Sequence, residues 1–217
     1  MGCFQEKPAR LVRVGHNCNI LEMNGFERVV GVIAGLVIGS AQVIYLVNTL
    51  RGKIRPSVLS WLGWALLMGT SLVSQIVGKG WQWSLTSILC STIGSLAITL
   101  AALLSRNFSL AVKDWKFLFL GLGCMGLYYW SSDPWVTTIF AVLADAVLAI
   151  PTIGKAWRDP ASEKSVAWIL GGVSSVLALA ICVGHDWLYV LFPLYLVLFN
   201  GMMAWLTWSK KAYNLQE

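Results

Sequence analysis

Seven long apolar runs constrain this chain more than any other feature of its sequence. Each run approaches or exceeds the roughly 20 residues that a helix needs to cross a bilayer, and brief loops separate them. Barrel strands alternate over about 10 residues, and these runs do not, so we expect helices. The predicted spans are residues 29–50, 57–77, 83–105, 114–130, 134–154, 166–184 and 186–208.

Composition places the chain among membrane proteins. It is 57% hydrophobic and 12% charged, whereas soluble domains carry about 25% charged residues. The basic residues behind the net charge of +6 are distributed among the loops and do not form one basic surface. We therefore expect the protein to contact the lipid bilayer and not to bind nucleic acid.

The second part of the chain repeats the first. A shift of 107 positions places residues 44–61 on residues 151–168 without a gap. Two identical pairs coincide: Arg51 with Arg158, and Trp61 with Trp168. Both segments join the first two spans of a group of three. We therefore expect an all-α membrane protein with seven transmembrane helices in a 3+1+3 arrangement of two parallel three-helix repeats.

Three transmembrane helices end on the side of the membrane opposite their start. A fourth helix, the linker span, must therefore return the chain before the second repeat can have the same orientation as the first. These expectations divide the chain into five parts. They are the N-terminal extramembrane segment 1–28, the first repeat 29–105, the linker helix 106–133, the second repeat 134–208 and the short tail 209–217.

Basic residues predict the orientation. Most of the 16 Lys and Arg residues fall on the side that holds the loops between spans 1 and 2, 3 and 4, and 5 and 6, together with the C-terminus. Cytoplasmic loops carry an excess of Lys and Arg. We expect an inner or plasma membrane location, with the N-terminus outside and the C-terminus in the cytoplasm.

Tryptophans lie near both ends of the proposed spans, where amphipathic rings favour the headgroup zone. We expect them to act mostly as anchors. Those near the cytoplasmic ends are Trp61, Trp64, Trp115, Trp157, Trp168, Trp205 and Trp208.

Asp145 lies midway along span 5, with no other charged residue from Val136 to Gly154. An ionised carboxylate at the bilayer centre costs roughly 2.5–3.5 kcal/mol on insertion scales. We therefore expect Asp145 to face the bundle interior and to bind the solute or a proton. A structural aspartate bonded to a neighbouring helix is the alternative.

Amides and a tyrosine within the spans complete the predicted substrate site. Gln42, Tyr45 and Asn48 lie at spacings of three on span 1, roughly on one helix face. Gln75 in span 2 and Asn200 in span 7 are the others. Amides donate and accept hydrogen bonds together, which suits neutral polar solutes. They also join helices in membranes, so helix packing is the alternative.

Two prolines lie inside predicted helices, Pro151 in span 5 and Pro193 in span 7. Proline removes one helical hydrogen bond and kinks the helix. We expect both to be hinges, with a static kink as the alternative.

The repeat-related residues Arg51, Arg158, Trp61 and Trp168 lie at the cytoplasmic ends of the spans. We expect these four residues to form an inner gate or to anchor the protein to the membrane. For the arginines, the gate partner would be Asp159 or Glu163, and the anchor would be lipid phosphate.

No catalytic motif is recognisable, so we do not expect an enzyme. The sequence lacks a Walker loop, an HExxH motif and a nucleophile elbow. Its five cysteines form no CxxC pair, and we expect neither a metal nor a cofactor.

The segment around Pro151-Thr152, with Lys155, Trp157, Arg158 and the run Ser162 to Ser165, resembles the PQ-loop motif. That motif is a Pro-Gln pair in a kinked helix, followed by a basic, serine-rich cytoplasmic turn. The family includes the SWEET sugar transporters, and the resemblance implies the 3+1+3 layout and an outside N-terminus. Nicotinamide riboside transporters share this layout.

The sequence thus predicts a transporter that moves a small polar solute, such as a sugar or a vitamin, by alternating access. Facilitated and proton-coupled transport both remain open, as do a monomer and a homo-oligomer. The alternative function is a non-transporting heptahelical membrane receptor or scaffold protein.

Overall fold

A computed structural model describes residues 24–79, 83, 85–110, 114–131, 133–182 and 187–209. Most of the predicted terminal segments 1–28 and 209–217 lies outside these residues. Within the described chain there are seven α-helices and no strand. The helices are α1 (Asn24–Leu50), α2 (Val58–Lys79), α3 (Leu85–Ser105), α4 (Trp115–Trp130), α5 (Pro134–Arg158), α6 (Ala167–Cys182) and α7 (Trp187–Ser209).

The protein is an all-α membrane protein. Four stretches are long and apolar enough to cross a bilayer, namely Gly25–Leu50, Leu85–Ser105, Thr138–Arg158 and Val190–Trp208. The apolar parts of the other three helices are shorter, at 10–17 residues. Large apolar side chains point away from the bundle, and Leu36, Leu104, Phe119 and Leu198 are each at least 65% exposed. Such surfaces are stable against lipid rather than water.

The predicted spans agree with the helices, apart from their ends. α5 continues to Arg158, four residues beyond the predicted end. Its start is well defined, because the Asp133 side chain accepts hydrogen bonds from the backbone N–H groups of Trp135 and Val136. Pro134 then occupies the first turn, where proline costs no hydrogen bond. Both α5 and α7 continue through their internal prolines, Pro151 and Pro193.

We refer to α1–α3 as the first helix group and to α5–α7 as the second. α3 packs against both α1 and α2, while α7 packs against both α5 and α6. The groups meet where α1 packs on α6 and where α2 packs on α5, and α4 packs on α5 and α2. Small residues permit these contacts. At the α1–α6 contact, the Ser174 hydroxyl donates a hydrogen bond to the Ala34 carbonyl over 3.0 Å.

Leu148 shows how closely α5 approaches its neighbours. Its side chain lies between Gly63 of α2 and Gly121 of α4, and it is 1% exposed. A Cβ atom at Gly63 would stand 2.3 Å from Leu148 Cδ2, and one at Gly121 would stand 2.7 Å from Leu148 Cγ. Glycine is therefore required on both sides.

Candidate functional site

A small cavity of about 40 Å³ lies where α1 and α2 meet α6 and α7. One face of α1 supplies residues at helical spacing, and α2, α6 and α7 supply the rest. The lining residues are Ile38, Ala41, Gln42, Tyr45, Trp61, Ala167, Trp168, Gly171 and Asn200. A cavity of this size has room for water molecules, which need about 10–15 Å³ each by this measure, but not for a sugar.

Two amides line this cavity. The Gln42 side chain packs over Gly94, and its Oε1 is buried without a hydrogen-bond partner. Asn200 Nδ2 donates to the Leu196 carbonyl over 2.8 Å, while its Oδ1 packs over Gly171. An unpaired buried acceptor costs about 1–3 kcal/mol. A hydrogen-bond donor that entered the cavity would therefore be bound favourably.

Asp145 is buried, as its position in the sequence predicts, and is 2% exposed. It does not line the cavity. Its Oδ2 accepts a hydrogen bond of 2.7 Å from the Tyr195 hydroxyl of α7. Tyr195 stacks on Phe199, with ring centroids 6.1 Å apart, and Phe199 packs edge-on against Trp168 of the cavity wall. Asp145 is thus connected to the cavity through three aromatic rings.

Tyr195 was not among the predicted site residues. The signal was present, since a tyrosine midway along an apolar span needs a hydrogen-bond partner just as Asp145 does.

The rings of Tyr45, Trp61 and Trp168 form part of the cavity wall, and two further rings pack against them. We call Tyr45, Trp61, Trp64, Trp168 and Phe199 the aromatic cluster. Tyr45 lies 4.5 Å from Trp61 and 5.9 Å from Trp168, between ring centroids. The repeat-related rings of Trp61 and Trp168 are 6.3 Å apart.

The aromatic cluster corrects the interpretation of three tryptophans as headgroup anchors. Trp61, Trp64 and Trp168 are 5–7% exposed, because α1, α2, α6 and α7 turn these rings toward one another. Trp115, Trp157, Trp205 and Trp208 are exposed, as anchors require.

Beyond the aromatic cluster, a polar network joins the loop after α1 to the segment before α6. We call it the interloop network. Glu163 is fully buried, accepts a hydrogen bond from the Tyr45 hydroxyl and forms an ion pair with Lys155. Lys155 also donates to the Arg55 carbonyl, and Arg55 N–H donates to the Ser162 carbonyl over 2.9 Å.

Trp168 connects this network to the cavity wall, since its Nε1–H donates to the Glu163 carbonyl over 3.0 Å. Burial raises the pKa of the Glu163 carboxyl above its ordinary value, although Lys155 and the Tyr45 hydroxyl oppose this shift. The network therefore holds a carboxylate that is costly to ionise without its two partners.

Of the two carboxylates predicted as gate partners, Glu163 does not pair with an arginine in this structure. Glu163 pairs with Lys155, because α5 extends far enough to turn Lys155 toward Arg55 and Glu163. Arg158 is exposed and its Nε donates to the Gly154 carbonyl over 2.9 Å. Arg51 is exposed as well.

Among the described substrate residues, Asn48, like Asp145, does not join the cavity lining. Asn48 is partly buried one turn beyond Tyr45, and its carbonyl accepts the Lys53 N–H. Gln75 belongs to α2, but its side chain lies outside the described part of the chain. Gln42, Tyr45 and Asn200 are brought together as expected.

No group of three or more His, Cys, Asp or Glu side chains that could hold a metal ion occurs within the described ranges. Comparison with protein-family models, with curated proteins and with solved structures gave no match.

Proposed function

We propose that this protein is a transporter that moves a small polar solute across the membrane by alternating access. The observation that carries the proposal is the cavity between the helix groups. It is lined by Gln42, whose buried amide oxygen has no partner, and by the rings of the two repeat-related tryptophans. A site at the interface of two repeats is typical of transporters.

The helix contacts support a 3+1+3 arrangement. The repeat equates α1 with α5 and α2 with α6. Under that exchange the α1–α6 contact becomes the α5–α2 contact, and both are present. Likewise the packing of α3 on α1 and α2 becomes that of α7 on α5 and α6. We extend the proposal to a PQ-loop or SWEET-like architecture with α4 as the linker.

Transport would require the interloop network to open and close. The network joins the two helix groups beside the aromatic cluster, so it seals that side of the cavity. Separation of Glu163 from Tyr45, and of Arg55 from Ser162, would open the site toward this side. The cavity would widen at the same time to admit a solute larger than water. Pro151 and Pro193, where α5 and α7 each lack one backbone hydrogen bond, are the proposed hinges.

Asp145 would bind a proton or the solute. A change in its protonation or ligand would then alter the cavity wall through the contacts with Tyr195 and Phe199. Asp145→Asn keeps an acceptor for the Tyr195 hydroxyl but removes the charge. We expect this variant to fold and to lose uptake or its pH dependence. Uptake equal to the wild type at every pH would remove Asp145 from the mechanism.

The test of the function is ligand-induced thermal stabilisation followed by uptake into proteoliposomes. The purified protein is screened against sugars, amino acids, nucleosides and vitamins at two pH values. A ligand at about 100 times its dissociation constant adds about 2.7 kcal/mol. We expect one class to stabilise the wild type and Gln42→Leu to abolish both stabilisation and uptake.

Ser40→Ala is the matched control, because Ser40 lies on α1 near Gln42 but is exposed and its hydroxyl bonds to the Leu36 carbonyl of its own helix. Absence of stabilisation and of uptake across the whole panel would contradict the proposal and favour a non-transporting receptor or scaffold.

A further inference from the structure

A second concave surface lies on the outside of the bundle, between α6 and α7. This groove has a volume of about 390 Å³ and is lined almost wholly by apolar atoms. Ile169, Gly172 and Val176 of α6 form one wall, and Val197, Gly201 and Ala204 of α7 form the other. Ile169, Val176 and Gly201 are exposed, so the groove faces the bilayer.

Small residues create the groove. A Cβ atom at Gly201 would meet no atom within 4 Å, and one at Gly172 would make ordinary contact with Asn200 Cβ at 3.7 Å. The space is therefore not filled by neighbouring side chains. An empty apolar groove inside a membrane forfeits dispersion contacts, and an acyl chain restores them.

One end of the groove carries a positive charge. Trp208 lies four residues after Ala204 and seven after Gly201, so it continues the same face of α7. Lys164 lies three residues before the start of α6. Its Nζ lies 4.6 Å from the centre of the Trp208 ring. Lys164 is partly exposed.

The acidic neighbour of Lys164 does not neutralise it. Glu163 turns inward, is fully buried and is engaged by Lys155 and Tyr45. The charge at the end of the groove is therefore available to an external anion. An amphipathic aromatic ring beside it favours the depth of the lipid headgroups.

We propose that the α6–α7 groove binds an anionic phospholipid. One acyl chain lies along Gly172, Val176, Gly201 and Ala204, and the headgroup contacts the Lys164 ammonium beside Trp208. The charge selects an anionic headgroup over a zwitterionic one, because a basic residue near an anionic surface contributes about 1 kcal/mol. That contribution corresponds to about a fivefold difference in affinity.

The experiment is a titration of the full-length protein in detergent with dioleoyl phosphatidylglycerol and, separately, dioleoyl phosphatidylcholine, read by native mass spectrometry. The two lipids share their chains and differ in headgroup charge. We expect the wild type to bind the anionic lipid about fivefold more tightly. Lys164→Ala should remove that preference, and Gly201→Leu should weaken the binding of both lipids.

Matched controls exist on α4. Lys116 also lies over an aromatic ring, 4.9 Å from the centre of Phe117, but away from the groove, so Lys116→Ala should keep the preference. Gly123 is exposed, and a Cβ atom there would meet no atom within 4 Å, so Gly123→Leu adds the same bulk elsewhere.

Three results would overturn the proposal. The first is equal binding of the two lipids by the wild type. The second is an equal loss of preference in Lys164→Ala and Lys116→Ala. The third is a lipid-independent dimer that Gly201→Leu dissociates, which would show that a second copy of the chain fills the groove.

Discussion

At the scale of single residues, two buried carboxylates have different surroundings. Asp145 lies within the span of α5, and its one described hydrogen-bond partner is the Tyr195 hydroxyl of α7. Glu163 lies outside the spans and has both a hydroxyl donor and an ammonium partner. The first suits a site that changes its protonation or its ligand, and the second suits a contact that holds two segments together.

The hydrogen bond between Asp145 and Tyr195 is expected to stabilise the fold, and substitutions at the two residues should be energetically coupled. Tyr195→Phe leaves the buried carboxylate without this donor and should cost about 1–3 kcal/mol in the free energy of unfolding. The same change should cost less in an Asp145→Leu background, with a coupling energy of at least about 0.5 kcal/mol. Thermal unfolding of the four proteins in detergent measures this cycle. Additive costs would show that the bond is not formed.

Glu163 predicts a pH dependence whose sign follows from its environment. Because burial raises the folded-state pKa above the ordinary value of 4.5, the folded protein holds this proton more tightly than the unfolded chain does. The stabilising contribution is complete below pH 4.5 and is lost as the pH rises through the folded-state value.

Glu163→Gln has no such titration. The melting temperature of the wild type, measured relative to this variant, should therefore decline as the pH is raised from 4.5. Parallel melting profiles of the two proteins would contradict the expected shift in the pKa of Glu163.

At the scale of helices, close approach rather than helix propensity decides which glycines matter. Gly63 and Gly121 both face Leu148, whereas Gly123 and Gly126 of α4 face open space. The sequence alone does not distinguish these glycines, because each lies within an apolar run. The distinction appears once α5 is placed between α2 and α4.

Gly63→Ala should destabilise the bundle by about 1–3 kcal/mol, the usual cost of overpacking. Leu148 is buried and also lies against Gly121, so a shift of its side chain away from residue 63 would disturb a second close contact. Gly123→Ala should be neutral or stabilising, since alanine has the higher helix propensity and meets no atom there. Denaturation in a fixed detergent compares the two variants, and equal melting temperatures would argue against the α2–α5 packing.

At the scale of the whole molecule, the interloop network adjoins the aromatic cluster through Tyr45 and Trp168. Their residues come from both helix groups. Under the proposed function, alternating access would require these contacts to break together. A covalent bond across the network should arrest transport while leaving the fold intact.

The paired substitution Arg55→Cys with Ser162→Cys tests this expectation. The direct backbone hydrogen bond between these residues brings their chains close enough for a disulfide. Oxidation should abolish uptake and reduction should restore it, while either single substitution keeps uptake under both conditions. Uptake by the oxidised pair at the wild-type rate would show that the network stays closed during transport.

Orientation is a further property of the whole molecule. In a variant without native cysteines, Lys53→Cys should resist a membrane-impermeant thiol reagent applied to intact cells, because the basic loops are expected to face the cytoplasm. Asp133→Cys should react, because Asp133 lies just before the start of α5, at the end of that helix expected to face outside. The reverse pattern of labelling would invert the proposed topology.

The sequence by itself determined the membrane class, the existence of the seven helices and the burial of Asp145. These properties depend on local hydropathy and on the cost of a charge in lipid, both of which can be evaluated one segment at a time. Gln42, Tyr45 and Asn200 were identified for the same reason, since a polar group in an apolar span is conspicuous.

Only the tertiary structure decided which of these groups meet. A membrane helix is apolar on its lipid-facing and its interior sides alike, so hydrophobic periodicity does not reveal which face is buried. Trp61 and Trp168 therefore resembled headgroup anchors in sequence, and packing of α1, α2, α6 and α7 buried them instead. The packing of α5 on α7 paired Asp145 with Tyr195. The position of the segment before α6 against α1 and α5 paired Glu163 with Tyr45 and Lys155.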